Sequence, residues 1–202
     1  MTCAAWLGAV LAWGVVVHAA WASYHDGPGP WTAQIVDAET GQPLQGVIVV
    51  AFWVKLTPGP IHPGETFHDA TEVVSDVHGR VTVPPLRRRI PDALAHIKGP
   101  EFCMFKGGYG EWRFQGADQW LLRDAFVRDE LNKQAWERFR GAGVIIELPR
   151  LKTREERRRM LARVPTPSRV PPELVPLLMD AKNQESVAVG LTPYGYPRRD
   201  KR

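Results

Sequence analysis

Cysteine is nearly missing from this 202-residue chain, which carries only Cys3 and Cys103. Once residues 1–22 are removed, as argued below, Cys103 stands alone and no internal disulfide can form. Its neighbours Phe102, Met104 and Phe105 place it on a buried strand, where a free cysteine behaves as a small hydrophobe. Catalytic signatures are equally scarce. There is no Gly-x-Ser-x-Gly elbow, no phosphate loop and no dinucleotide fingerprint; Gly107-Gly108-Tyr109-Gly110 does not open a helix after a βα pattern. No two histidines show the close spacing of a helical or Cys/His zinc site. The chain therefore reads as non-enzymatic.

Charge is absent from residues 1–22, which hold no Asp, Glu, Lys or Arg. The apolar run from Ala4 to Val17 is followed by His18-Ala19-Ala20-Trp21-Ala22 and then Ser23. Ala20 and Ala22 make a small-x-small site ahead of a polar segment, the pattern of a secretory signal peptide. Retained, the same segment would anchor the chain to a membrane, but the run is short against the ~20 residues a helical span needs. The expectation is an exported, periplasmic or extracellular protein.

The formal charge of +4 is unevenly spread. Residues 150–202 hold 13 Lys and Arg against 6 Asp and Glu, leaving 13 against 16 in residues 1–149. An acidic body thus carries a basic tail, suited to an envelope protein or polysaccharide partner; export argues against nucleic acid. The interruptions Glu155-Glu156 and Asp200 equally fit a solvated, salt-bridged helix face.

Hydrophobic patterning organises the rest. After Asp26-Gly27-Pro28-Gly29-Pro30, strands are expected at Trp31–Val36 and Val47–Leu56. The second is apolar on both faces, which marks a central strand covered on each side. Thr57–Gly64 is a loop, Phe67–Ser75 a third strand, and Arg80–Val83 a fourth across the turn Asp76-Val77-His78-Gly79, where Gly79 supplies a positive φ. A proline-punctuated connection from Leu86 to Pro100 leads to a strand at Glu101–Lys106, and Val144–Leu148 is the last. Between these two lies an insertion at residues 111–143, helical from Asp118 onward. The tail begins with a helix over Arg150–Arg163, with the capping box Thr153-Arg154-Glu155-Glu156. A Pro-rich linker, Pro165–Pro172, precedes a second helix with Leu174, Leu177, Leu178 and Ala181 on one face. Thr192–Arg202 is expected to be disordered.

Several of these residues coincide in a recognisable order: Val36-Asp37, Thr40-Gly41-Gln42-Pro43-Leu44, Gly46-Val47, Asp76-Val77-His78-Gly79, Pro84-Pro85-Leu86 and Lys106-Gly107-Gly108-Tyr109. Together they resemble the carboxypeptidase regulatory-like domain of the transthyretin-like, or prealbumin-like, class over Trp31–Leu148. The resemblance implies a mainly β fold, an antiparallel seven-strand-type Greek-key sandwich, here with a helical insertion and a helical C-terminal tail. It implies an accessory module and not a peptidase. The resulting organisation is a signal peptide at 1–22, a sandwich at 23–149 and a basic tail at 150–202.

Contact surfaces would come from the additions to this scaffold. Trp112, Trp120 and Trp136 crowd the insertion, and Arg154, Arg157 and Arg158 the tail. The tryptophans suit carbohydrate or peptide contact, and would equally pin the insertion to the sandwich. For metal, cleavage after Ala22 leaves Ser23-Tyr24-His25, whose amine, amides and imidazole offer a square-planar nitrogen set for copper(II) or nickel(II). The loop histidines His62 and His68, near Glu65 and Asp69, are a second metal candidate, against the plainer reading of polar loop residues.

Overall fold

A computed structural model describes residues 27, 29–58, 64–86, 96–121, 123–163 and 170–195. The expected signal segment, its cleavage site, His25 and His62 lie outside them. Among the described residues seven strands form two sheets. Strands β1 (Trp31–Asp37), β4 (Arg80–Val83), β6 (Arg113–Phe114) and β7 (Val144–Leu148) make one, in the order β4-β1-β7-β6; β2 (Ile48–Thr57), β3 (Gly64–Val74) and β5 (His96–Phe105) make the other, in the order β3-β2-β5. Pairing is antiparallel except at one seam. There β1 and β7 run parallel, with Ala33 opposite Val144 and Asp37 opposite Leu148, a departure from the expected all-antiparallel arrangement. Parallel neighbours need a long crossover, and residues 38–143 lie between these two strands.

The alternation read from β1 sets the inner face. Trp31, Ala33 and Ile35 point into the core and Thr32 and Gln34 away from it. Val47, Val49, Ala51 and Trp53 from the second sheet meet them, with Val81, Val83, Ile146 and Leu148. Helix α2 (Ala125–Phe139), preceded by the short α1 (Ala117–Trp120), closes this core with Ala135 and Phe139. Asp124 accepts a hydrogen bond from the Val127 amide at 3.0 Å, so the insertion has its own N-cap.

The turns are fixed by their own residues, and Gly79 takes the positive φ expected of it. The Asp37 carboxylate accepts the Glu39 and Thr40 amides at 2.9 and 3.0 Å. Gly79 has φ 71°, and a Cβ there would stand 2.3 Å from the Ile35 carbonyl oxygen, so only glycine fits. Two strands begin earlier than expected. Strand β3 starts at Gly64, in the segment read as a loop, and not at Phe67. Strand β5 starts at His96, inside the segment read as a connection, because its place at the sheet edge tolerates Pro100 in the ladder.

The tail departs most from expectation. Helices α3 (Arg154–Arg163) and α4 (Pro176–Ala188), joined through a 3-10 turn at Pro172–Leu174, cover the outer face of the three-stranded sheet. Met160, Leu161, Val170, Val175, Leu178, Met179 and Val189 pack there against Ile48, Val50, Phe52, Val54, Cys103 and Phe105. This is the second cover that the two-faced apolarity of β2 demanded. The expected capping box forms, with the Glu156 amide donating to Thr153 Oγ1 at 3.1 Å and the Thr153 amide donating to Glu156 Oε2 at 3.0 Å. The expected apolar face of the last helix does not hold: Leu174 and Leu177 are 44% and 45% exposed. The 3-10 turn breaks the phase, so the buried stripe runs through Val175, Leu178, Met179 and Lys182 instead. Residues near the end are also tied down, as the Tyr194 amide donates to Asn183 Oδ1 at 2.8 Å.

Two acids fasten this layer. Glu185, 6% exposed, accepts two bonds from the Arg157 guanidinium at 2.6 and 2.7 Å, and a third from the Gly108 amide at 3.1 Å. Gly107 permits that approach, since a Cβ there would stand 2.7 Å from Glu185 Oε2. Glu72 on β3 accepts the Leu177 and Leu178 amides at 3.0 and 2.8 Å, supplying from the sheet the cap that α4 lacks in its own sequence. Burial pushes the Glu72 carboxyl up, against the lowering effect of those two amides. Glu72→Ala is expected to cost about 1–2 kcal/mol, as loss of an N-cap does. Urea denaturation of the two proteins measures it; an unchanged midpoint would show that the cap contributes nothing.

Candidate functional site

Among the described residues helices α3 and α4 pack on the three-stranded sheet, and none is laid flat on the outer face of the four-stranded one. Its side chains are those that alternation turns away from the core: Thr32 and Gln34 from β1, Arg80 and Thr82 from β4, Ile145 from β7. Strand register puts Thr32 beside Thr82 and Gln34 beside Arg80. Gln34 also donates to the His78 carbonyl at 3.2 Å. The insertion walls this face with Gln115, Trp120 and Arg138, making an open groove of about 500 Å³. Trp120 is held from behind by Phe114, with the rings stacked at 6.4 Å.

The groove offers hydroxyls, carboxamides, one indole and two guanidinium groups, and among the described residues no carboxylate lines it. Among the described residues neither Arg80 nor Arg138 makes a salt bridge. The chemistry available is recognition of a polar, hydroxyl-rich ligand, with an apolar platform at one wall. Among the described residues no nucleophile–base pair lines the groove.

Of the tryptophans singled out by sequence, only Trp120 lines the groove. Trp112 and Trp136 are part of an aromatic cluster, with ring centroids 6.0 Å apart, and Trp136 reaches Phe114 at 5.2 Å and Trp31 at 6.1 Å. They fasten the insertion to the core. The three arginines are likewise engaged within the chain. Arg154 and Arg158 donate to the Val189 carbonyl at 2.8 and 2.9 Å, closing the C-terminus of α4, while Arg157 holds Glu185. The sequence reading missed Thr32, Gln34, Arg80, Thr82 and Arg138. Strand alternation already turned the first four outward, but their gathering depends on β1 lying beside both β4 and β7.

Of the metal candidates, His25 and His62 lie outside the described residues. His68 lies on β3, and among the described residues no group of three His, Cys, Asp or Glu side chains could hold an ion. Cys103 is 8% exposed, and burial pushes its thiol up to about 11, against the favourable field of Lys182; it is a poor nucleophile at neutral pH. Among the described residues no helix is long and apolar enough to cross a membrane.

A second buried polar cluster centres on Asp37, whose side chain is out of reach of water although it lies just beneath the surface. Besides the two turn amides it accepts bonds from Arg150 and, at 3.2 Å, from the Tyr109 hydroxyl. Burial alone would raise its carboxyl; Arg150, the Glu39 and Thr40 amides and Tyr109 outweigh it and bring the value from 3.8 to about 2. Burial and the Asp37 bond raise the Tyr109 phenol. Every group in this cluster has a partner inside it, so its work is to lock the first turn to the end of the sandwich. A smaller cavity of about 260 Å³ adjoins Trp53, Asp69 and Pro84-Pro85-Leu86. The chain matches no family model, no curated protein and no solved structure, so the groove's own residues are the ground on which a function has to be argued.

Proposed function

We propose that this chain is a non-enzymatic glycan-binding module of the cell envelope, exported by its N-terminal segment. In this reading the sandwich is of the prealbumin-like, carboxypeptidase regulatory-like type, and the sheet face left bare by the helical layer is the recognition surface. The groove bounded by Trp120 carries the reading. A sugar ring has an apolar face of C–H groups and an equatorial belt of hydroxyls. Trp120 supplies a flat apolar counterpart to the first, and Thr32, Thr82, Gln34 and Gln115 supply donors and acceptors for the second. Support for a binding role comes from the donors, acceptors and indole gathered in one groove, and from a thiol whose burial suppresses its ionisation.

Affinity electrophoresis of the purified protein through gels containing polysaccharides tests the proposal. Retardation is expected in at least one glycan. Trp120→Ala should weaken it by about 30-fold, the effect of losing an aromatic hot spot worth ~2 kcal/mol. Because Trp120 also touches Phe114, Gln115→Ala provides a variant that spares the aromatic cluster and should weaken binding about fivefold, as loss of one neutral hydrogen bond does. Retardation unchanged in both variants would place any glycan site elsewhere on the molecule.

A further inference from the structure

Resting on the glycan reading, we propose that the groove selects acidic glycans, and specifically sugars that carry a carboxylate while keeping their hydroxyls. The described residues lining it include two arginines and no acid, on a body whose first 149 residues carry more Asp and Glu than Lys and Arg. Positive charge is therefore concentrated locally against the background of that body.

The neighbouring acids are committed elsewhere. Glu147, which shares the outer face, accepts from Arg113 Nε at 3.3 Å, and Arg113 also donates to Asp118 at 2.7 Å. Asp76 lies near enough for Arg80 to help lower its carboxyl, yet its oxygen is taken by the His78 and Arg80 amides at 2.9 and 2.8 Å. Neither groove guanidinium has its fork closed by a carboxylate among the described residues. An arginine fork matches a planar carboxylate through two parallel N–H bonds, more strongly than it bonds neutral oxygens. The threonines and glutamines of the floor require free hydroxyls opposite them, so a heavily sulfated chain, whose hydroxyls are replaced, fits less well than a polyuronate.

The full chain is titrated with polygalacturonate and with the same polymer fully methyl-esterified, which keeps the backbone and removes the charge. Dextran sulfate and polyglutamate serve as polyanions of other chemistry. Polygalacturonate is expected to bind about tenfold more tightly than its ester, as a charge-assisted pair exceeds a neutral one. The ratio should fall towards one as salt rises from about 50 to 200 mM. In Arg80→Gln/Arg138→Gln, shown by its melting curve to be folded, the ratio should fall towards one at low salt. Equal binding of acid and ester would overturn the charge inference and leave the glycan reading standing; failure of every glycan to bind would overturn both. A preference for acid that survives the double variant would assign it to the basic C-terminal residues, and equal binding of polyglutamate or dextran sulfate would reduce the groove to a general anion patch. Either result removes the proposal.

Discussion

Deleting residues 153–202 is expected to yield an aggregating chain and not a smaller soluble sandwich. The cut leaves Arg150 in place, so the Asp37 cluster keeps its partners, and removes only α3, the 3-10 turn and α4. What is lost is the cover over Ile48, Val50, Phe52, Val54, Cys103 and Phe105, each at most 8% exposed in the intact chain. Fully burying one such side chain stabilises by about 1.5–3 kcal/mol, so uncovering six forfeits on the order of 10 kcal/mol. Whole domains are stable by about 5–15 kcal/mol, and the loss takes most or all of that. The bared surface would also be a continuous apolar face on an open sheet, which invites association. Soluble yield and binding of a hydrophobic dye report the outcome. A truncated protein that stays monomeric and melts cooperatively would show that the C-terminal helices are an appendage after all.

Asp37→Ala should be the most damaging single substitution at a polar position, costing about 2–4 kcal/mol at neutral pH. Arg150, with 53% of its side chain exposed, can return to water when the carboxylate is gone. The Glu39 and Thr40 amides and the Tyr109 hydroxyl are only part-exposed and lose their acceptor outright. The acid dependence follows from the same group. Its carboxyl is depressed from 3.8 to about 2 on folding, so its ionised form adds stability that is complete above about pH 4 and disappears as pH falls through about 2. Asp37→Asn keeps the shape, costs less than alanine, and should flatten the fall in stability between those pH values. Urea denaturation of the three proteins at pH 7 and across pH 2–4 decides this. An acid limb in the asparagine variant as steep as in the parent would mean that other carboxylates carry the transition.

Much of the sandwich could be read from the chain because its signals are local. Asp37, Gly41, Pro43 and Gly79 are dictated by the turns they make, and alternation in β1 and β4 sorts inward from outward residues without knowledge of the partner strand. The apolar double face of β2 announced two covers. Where the second cover came from was obscured by its composition. Helix α4 buries Lys182 and Glu185 among its apolar residues, and the 3-10 turn at Pro172–Leu174 shifts its phase, so the leucines that looked aligned are not. The arginines of α3 looked solvated because their acceptors, Val189 and Glu185, are about 30 residues distant in sequence and meet them only after folding. The groove was legible only through Trp120. Its floor is assembled across a parallel seam between the first strand and the last, and no short-range pattern reports such a pairing.

The three residues Gly107-Gly108-Tyr109 have a consequence of their own. On adjacent residues of one short loop, the Gly108 amide is held by Glu185 in the last helix and the Tyr109 hydroxyl by Asp37 at the end of the first strand. Lifting the C-terminal helices from the sheet would free the Gly108 amide while its neighbour stays fixed to the first turn, so the beginning and the end of the described chain meet on one loop without either depending on the other's hold.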